Sequence, residues 1–394
     1  MGEKIVKLKR GKEDSLNRWH PWIFSGAIAS VDPGVAEGDT VAVYSSDRLL
    51  IGRGHFAYGS IAVRVIAWGD QQVDGNLYGR LLNAAWKMRQ DLGIPGKDSD
   101  CYRLVHGEGD WLPGLVVDVY GSTAVLQAHS AGMHYARHTI ADALTQIPGA
   151  GIKSVYYKSE ATLPFKANIE AENGYIIGKA ESDIATENGL HFAVDWLKGQ
   201  KTGFFLDQRE NRCLVEQYSH GRRLLNMMCY TGGFSVYALR GGAERVDSVD
   251  SSNLAIELAR RNVALNFPGC TKHTAFAEDA FRFLAKINKG DYDMIILDPP
   301  AFAKHRSAVH NALIGYRRLN AKAIEQIGNG GLLFTFSCSQ AVSREEFRLA
   351  VMTAAAQTGR RARILQQLSQ PPDHPINIFH PESEYLKGLL LYIE

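Results

Sequence analysis

Cys338 is the side chain with the most reactive chemistry open to it, at the end of the apolar run Phe334-Thr-Phe-Ser-Cys-Ser339. Asp298 holds a similar place in Asp298-Pro-Pro-Ala-Phe302, directly after Met294-Ile-Ile-Leu297. The two prolines donate no backbone hydrogen bonds and keep the chain extended, so the carboxyl is presented at a strand end. From there it can bond the edge of a flipped base while Phe302 stacks on the base face. The plainer reading of the same stretch is a proline-rich turn with a core phenylalanine. A lone cysteine, likewise, is most often a buried structural thiol. Its position argues for more, because ligands of an open α/β sheet gather at the carboxyl ends of the strands. C5 of a pyrimidine is too weak a nucleophile to take a methyl group directly. A thiolate added at C6 turns C5 into an enamine-like carbon that can attack a sulfonium methyl, while Asp298 holds N3 and the exocyclic group. A base then removes the C5 proton and the thiol departs. Only the thiolate adds, so the ordinary thiol pKa of about 8.5 must be lowered by a nearby cation. Lys304, His305 and Arg306 are the candidates.

Three further strand ends carry groups suited to a nucleoside. The first is Cys229-Tyr-Thr-Gly-Gly-Phe234, where Tyr230 and Thr231 lead into Gly232 and Gly233, which let the backbone pass close to a ligand. Asp250 ends the next strand, at the distance along the chain, roughly 20 residues, where a carboxylate can accept both hydroxyls of a ribose. Glu278-Asp279 follows the third, with Asp279 placed to accept a hydrogen bond from an adenine amino group. Each has a plainer role: a tight turn for the glycines, a helix N-cap for Asp250 ahead of Ser251 and Ser252. Together, at successive strand ends, they favour a nucleoside. The pyrophosphate-binding pattern Gly-x-Gly-x-x-Gly is absent from this loop. S-adenosylmethionine, which has no pyrophosphate, is therefore the expected cofactor.

The elements that must position these groups alternate regularly from about residue 190. Strands are expected at Leu224–Met228, Val246–Asp250, Lys272–Ala277, Met294–Leu297, Leu332–Phe336, Arg363–Gln367 and Leu386–Ile393. Helices are expected at about 234–240, 252–265, 279–287, 311–327 and 342–356, and His191–Asp195 is expected to pair with Gly203–Leu206. Such alternation implies a mostly parallel sheet covered on both faces, with an antiparallel edge where the last two strands lack a helix between them. Earlier in the chain, Val41–Tyr44, Leu49–Ile51 and Ile61–Ile66 read as short strands of a β module. Leu77, Leu81, Ala85, Met88 and Leu92 recur at helical spacing, ended by Gly93-Ile-Pro-Gly96. A hairpin over Leu115–Tyr120 and Thr123–Gln127, a helix at about 134–147 and a strand at Ser154–Tyr157 complete a central α/β region. The expected divisions are residues 1–72, 73–185 and 186–394, within an α/β fold class.

A chain of 394 residues with 45% hydrophobic and 22% charged residues supplies real cores and little disorder. The net charge of +2 neither requires nor excludes a nucleic-acid partner. Lys4, Lys7, Lys9, Arg10 and Lys12 form a basic run, usually just a solvated face. The five cysteines contain no Cys-x-x-Cys pair, so neither a zinc site nor a disulfide framework is expected. No N-terminal apolar signal region and no membrane-length apolar run are present, and Val6 spoils the myristoylation pattern. A reduced, cytoplasmic protein without membrane contact is the expectation. His191, His273 and His374 read as structural, because no metal-spaced partner accompanies them.

Taken together, these residues resemble the bacterial 23S rRNA cytosine-C5 methyltransferases of the RlmI type, over nearly the whole length. The resemblance is carried by His20-Pro-Trp-Ile-Phe-Ser-Gly26, Lys201-Thr-Gly-Phe-Phe-Leu-Asp-Gln-Arg209, Tyr230-Thr-Gly-Gly-Phe234, Asp298-Pro-Pro-Ala-Phe302, Phe336-Ser-Cys-Ser339 and Tyr385-Leu-Lys-Gly388. It implies an N-terminal PUA RNA-binding domain, a central α/β domain and a C-terminal class I methyltransferase sheet of seven mostly parallel strands with an antiparallel last strand. It implies Cys338 as the nucleophile, Asp298 as the base-orienting acid that also borders the cofactor, and Gln208 and Arg209 near the cofactor. Read from the residues alone, Asp207 could merely cap a helix and Arg209 could lie on the surface. The implied partner is 23S rRNA, naked or in an early large-subunit particle; a homodimer is compatible with the sequence. Many RNA cytosine-C5 enzymes carry a second cysteine where Ala301 stands here, which leaves the proton-removing base unassigned.

Two other readings stand beside this one. The same cofactor can serve a guanine N7, adenine N6 or uracil C5 target, and the last would want a glutamate such as Glu382 or Glu384. A non-catalytic RNA-binding assembly factor with a vestigial pocket is the reading from another class, opposed by intact Asp250, Asp279, Asp298 and Cys338. Arg222-Arg223, Arg260-Arg261, Arg317-Arg318 and Arg360-Arg361 are candidate phosphate contacts, of which half are expected only to solvate helix faces. Trp19 and Trp22 could stack on RNA or pack the β module.

Overall fold

Apolar and charged residues alternate near the N-terminus, and the first strand, β1 (Ile5–Leu8), buries Val6 and Leu8. The basic run read as a solvated face thus contains a strand, and Lys4 forms an ion pair with Asp39. Helix α1 (Asp14–Asn17), strands β2 (Trp22–Phe24) and β3 (Ile28–Val31), then β4 (Thr40–Tyr44), β5 (Leu50–Phe56) and β6 (Ile61–Trp68) follow. They form one six-stranded sheet in the order β2-β6-β5-β4-β1-β3, around Val6, Val41, Val43, Val63 and Val65. The computed structural model describes residues 2–164, 167–303 and 305–394, so Lys304 lies outside the described residues.

Helix α2 (Gly75–Asp91) begins at Asp74, whose carboxylate accepts the Leu77 N–H, and buries Leu77, Leu82, Ala85 and Trp86. Strands β7 (Cys101–His106), β8 (Leu115–Tyr120), β9 (Thr123–Ala128), β10 (Ser154–Tyr157) and β11 (Gly174–Ile177) make a second sheet. Its order is β11-β10-β9-β8-β7, with only β9 and β10 parallel. The single helix expected at 134–147 is two, α3 (Ala131–Tyr135) and α4 (Arg137–Thr145), because Ala136 both ends one and starts the other. Strands β12 (Ile184–Glu187) and β13 (Leu190–Ala193) flank the Asn188-Gly189 turn. Gly203–Leu206 is not the strand expected there. Residues 201–204 form turns and bends, and Leu206–Gln208 make a single 3-10 turn.

The chain divides into two compact units. One comprises Met1–Gly189, Val194–Leu206 and Pro372–Ser383, the other Leu190–Ala193, Asp207–Pro371 and Glu384–Glu394. In the second, helices and strands alternate: α5 (Arg209–Tyr218), β14 (Arg223–Met227), α6 (Gly233–Arg240), β15 (Arg245–Asp250), α7 (Asn253–Asn266) and β16 (His273–Ala277). They continue as α8 (Ala280–Lys286), β17 (Met294–Leu297), α9 (Val309–Gln326), β18 (Gly331–Ser337), α10 (Arg344–Thr358), β19 (Ala362–Ser369) and β20 (Lys387–Ile393). The seven-stranded sheet has the order β16-β15-β14-β17-β18-β20-β19. Its first five strands are parallel, while β20 runs antiparallel to both β18 and β19. The last strand is antiparallel as expected, but it is inserted beside β18 and leaves β19 at the edge. Continuous apolar runs explain the central strands: Met294–Leu297 and Gly331–Ser337 are buried throughout. No helix among the described residues is long and apolar enough to cross a membrane.

Candidate active site

Strand order reverses between β14 and β17, so the crevice of this sheet opens at their carboxyl ends. The chain leaving β14 is strained. Met228 (φ +52°), Tyr230 (φ +46°) and Gly232 (φ +76°) all take left-handed backbone, which costs a non-glycine residue about 1 kcal/mol or more. At Gly232 a Cβ would also stand 2.9 Å from the Cβ of Ala259 in α7, so only glycine brings loop and helix this close. The surroundings hold this conformation. The Tyr230 N–H donates to Asp250 Oδ2 (3.0 Å), and the Asn262 side-chain amide donates to the Thr231 carbonyl (2.8 Å). Gly233 then starts α6.

Asp250 is half-buried at the end of β15, and its other oxygen accepts the Ser252 N–H (2.9 Å). Ser252, not Asp250, is the N-cap of α7. Each carboxylate oxygen keeps a second lone pair, so the acid can still accept a hydroxyl. The Asp250 carbonyl accepts the Glu278 N–H (2.9 Å), which ties the third rim loop to the second. Asp279 is exposed and caps α8 by accepting the Arg282 N–H (3.0 Å). Gln208 and Arg209, both buried, open α5, with Gln208 Oε1 accepting from the Asn211 amide (2.6 Å). Arg209 is not a surface residue. Nor does Asp207 cap this helix: its Oδ2 accepts from the Tyr385 hydroxyl (2.6 Å).

On the other side of the crevice, Asp298 follows β17 half-buried, ahead of a buried Pro299. Cys338 follows β18, also half-buried, and its thiol lies 3.9 Å from the Pro299 carbonyl oxygen. The two residues singled out for chemistry therefore stand on one rim. Phe302 packs on Tyr316 at 4.6 Å between ring centroids and belongs to the core beneath, the plainer of its two readings. The residues around the thiol are clamped. Ser337 donates to the Tyr316 hydroxyl (2.8 Å), that hydroxyl lies 2.8 Å from Ser339 Oγ, and Ser339 Oγ accepts the Ala303 N–H (3.2 Å). Burial raises the Tyr316 pKa, so it stays neutral in this network. Lys387, 4% exposed at the start of β20, donates to the carbonyls of Ser339 (2.7 Å) and Val342 (2.5 Å).

Neither Tyr316 nor Lys387 was singled out from the sequence for this role. Lys387 had a signal: a lysine set in the apolar run Leu386–Leu391 is a buried position by pattern. Tyr316 had none, being one apolar residue on one helix face. Of the candidate cations beside the thiol, His305 and Arg306 are exposed, and Arg306 acts on Glu346. The arginine pairs also sort themselves. Arg223 bonds Asp293, Arg260 the Ala275 carbonyl, and Arg360 the carbonyls of Ile324 and Ile327 at the end of α9. No disulfide joins cysteines among the described residues. His374 is buried against Asp373, in keeping with a structural role.

A family profile described as S-adenosylmethionine-dependent methyltransferase matches residues 139–391, and one for a PUA-like domain matches residues 6–68. The ribosomal RNA large subunit methyltransferase I of Aeromonas salmonicida is 39% identical over 395 residues, covering 98% of each chain. Among solved structures, a chain described as a SAM-dependent methyltransferase from Streptococcus mutans superposes with a TM-score of 0.83 at 21% identity, over 98% of this chain and 99% of that one. A second, described as a methyltransferase complexed with SAH, gives 0.83 at 22% identity with each chain covered completely. At those identities the likeness is one of fold. Profile and relative together place the chain in the S-adenosylmethionine-dependent methyltransferases, within the ribosomal RNA large subunit methyltransferase I family.

Proposed function

We propose that the chain transfers a methyl group to C5 of a cytosine in 23S rRNA through a covalent bond between Cys338 and C6. The observation that carries this reading is the thiol of Cys338 at the Pro299 carbonyl, one residue from Asp298, on the rim of a methyltransferase sheet. Methylation of a nitrogen needs no thiol there. When bound, S-adenosylmethionine supplies an electrophilic methyl on a sulfonium. The donor set fits it: Asp250 for the ribose hydroxyls, Asp279 for the adenine amine, and the backbone of Tyr230, Thr231, Gly232 and Gly233 against the nucleoside. Gln208 and Arg209 would hold its amino-acid end, and Asp298 would border it.

Cys338 adds to C6 as the thiolate, its proton having gone to solvent, and the C5–C6 π electrons become nucleophilic at C5. Asp298 accepts from the exocyclic amine and, as the protonated acid, donates to N3, which accommodates the charge developing on the ring. Once C5 has formed its new bond to carbon, a base takes the C5 proton, the C5–C6 double bond re-forms and the thiolate leaves. A base must be flipped out of any duplex for this, at a cost of a few kcal/mol that single-stranded RNA does not carry. Naked rRNA or an early large-subunit particle in the cytoplasm is therefore the substrate that goes with this site. The PUA-like sheet, with Trp19 about half exposed, serves as the RNA-holding module, in a 1–72, 73–185 and 186–394 division of labour.

The test is to incubate the protein with tritiated S-adenosylmethionine and 23S rRNA from a strain lacking the activity, then identify the labelled nucleoside by mass spectrometry. Label in 5-methylcytidine, abolished by Cys338→Ala with cofactor binding intact, is the expected result. Label in a methylated guanosine, adenosine or uridine that survives Cys338→Ala would overturn it.

A further inference from the structure

Resting on Cys338 as the nucleophile, we propose that Lys387 is the positioning cation that holds this thiol as the thiolate. The argument begins with register. In the antiparallel pair of β18 and β20, Ser337 stands opposite Lys387, so the lysine starts beside the residue that precedes Cys338. Its ammonium then reaches across to the Ser339 and Val342 carbonyls, on the far side of the thiol in sequence. An ammonium has three donors, and these neutral carbonyls take two of them.

Burying an ammonium at 4% exposure is costly, and carbonyls do not neutralise it. The charged and titratable groups that act on Lys387 are Cys338, Arg344, Glu384 and Glu346. Glu384 already forms an ion pair with Arg344, and Glu346 accepts the Ser343 N–H in the capping box of α10. Among the described residues, Cys338 is the group whose negative charge most favours the Lys387 ammonium. Tyr316, packed against the thiol from α9, stays neutral. Asp298 stands on the β17 side, and Lys387 is the buried cation that approaches from the β20 side. Burial brings Lys387 down to about 8, which still leaves it protonated near neutral pH. Thiol and ammonium therefore favour each other's charged forms. The proton released from sulfur goes to solvent, and Lys387 keeps its own throughout.

Alkylation of Cys338 by iodoacetamide reads this directly, independently of methyl transfer. Rates are followed between pH 5.5 and 10 on the full chain, with modification assigned to the Cys338 peptide by mass spectrometry because Cys213 and Cys270 are also partly accessible. In the unmodified protein the apparent thiol pKa is expected below the ordinary value of about 8.5. Lys387→Gln should raise it by about one unit, a tenfold loss of thiolate at neutral pH, and Lys387→Arg should restore most of it. In turnover, the acid limb of the kcat profile should move with it while KM changes little. A wild-type thiol that titrates at or above about 8.5 would overturn the assignment without recourse to any variant. So would a Lys387→Gln protein that binds S-adenosylmethionine normally and alkylates with an unshifted pH dependence. Failure of the Cys338 reading looks different: Cys338→Ala would then still methylate RNA.

Discussion

Tyr316 holds the carboxyl end of β18 with one hydroxyl, bonded to Ser337 on one side of Cys338 and Ser339 on the other. Tyr316→Phe keeps the ring against Phe302 and Phe347 but leaves two buried serine hydroxyls short of a partner. The cost is about 1–3 kcal/mol of stability. Because the lost bonds orient the thiol and not the cofactor, kcat should fall about tenfold while affinity for S-adenosylmethionine stays within about twofold. Steady-state kinetics and titration calorimetry check this; an unchanged kcat would mean that the clamp does not position the thiol. Single residues were legible to very different degrees. Cys338 and Asp298 stand out in the sequence because each follows a strand, and ligands of an open α/β sheet gather at strand ends. The proposed cation does not, because the candidates near Asp298 in sequence are Lys304, His305 and Arg306. Strand pairing sets Lys387, from near the end of the sequence, opposite Ser337. Asp250 and Asp279 were legible as positions; a helix-start role was read as an alternative for Asp250, whereas the capping of α8 by Asp279 was not foreseen.

At the scale of elements, α7 does more than cover the sheet. Its Asn262, fully buried, accepts the Ala193 N–H (2.8 Å) and donates to the Thr231 carbonyl (2.8 Å), so one amide fixes both β13 and the loop after β14. Asn262→Ala would strand two backbone groups and release a loop that already holds left-handed Tyr230. A loss of about 2–4 kcal/mol is expected. S-adenosylmethionine should bind at least tenfold more weakly, whereas a surface alanine on the same helix, such as Arg261→Ala, should leave affinity unchanged. Equal affinities in calorimetry would show that the loop keeps its shape without α7. The alternation of strands and helices from β14 onward was legible because apolar strands and amphipathic helices have distinct periods. Three misreadings have physical causes. β1 was hidden by its lysines, although Val6 and Leu8 keep a period of two. Phe204 and Leu206 are buried, and their apolar run reads as a strand where the backbone actually turns. The insertion of β20 inside β19 follows from which of two apolar strands covers β18 better: β20 is buried nearly throughout and β19 exposed.

At the scale of the whole molecule, the segment Pro372–Ser383 leaves the last sheet between β19 and β20 and becomes part of the first unit. There the Asp373 carboxylate accepts the Arg103 N–H (3.0 Å), its carbonyl accepts from Arg89 (2.8 Å), and Asn377 donates to the Glu108 carbonyl (2.9 Å). No periodicity announces this, since it depends on contacts between residues far apart in the chain. Both units also bury histidine. His55, beside Tyr78 in the first, and His273, bonded to Ser248 in the second, are each pushed down to about 4, chiefly by burial. Arg64 adds to the shift of His55; for His273, Arg260 adds to it and Asp247 opposes it. The native protein therefore keeps these rings neutral where the unfolded chain, titrating near 6.5, protonates them. Stability is full above about pH 6.5 and falls as the pH drops toward 4, by about 2 kcal/mol per ring at pH 5. Scanning calorimetry should show the transitions at pH 5 lower by about 4–8 °C than at pH 7, before most carboxylates begin to protonate. His55→Gln should lessen that slope for the transition of the first unit, where burial also lowers His129 to about 4 and lowers His106, and leave that of the second as it was. Melting temperatures equal at pH 7 and pH 5 would mean that these imidazoles reach solvent in the native state.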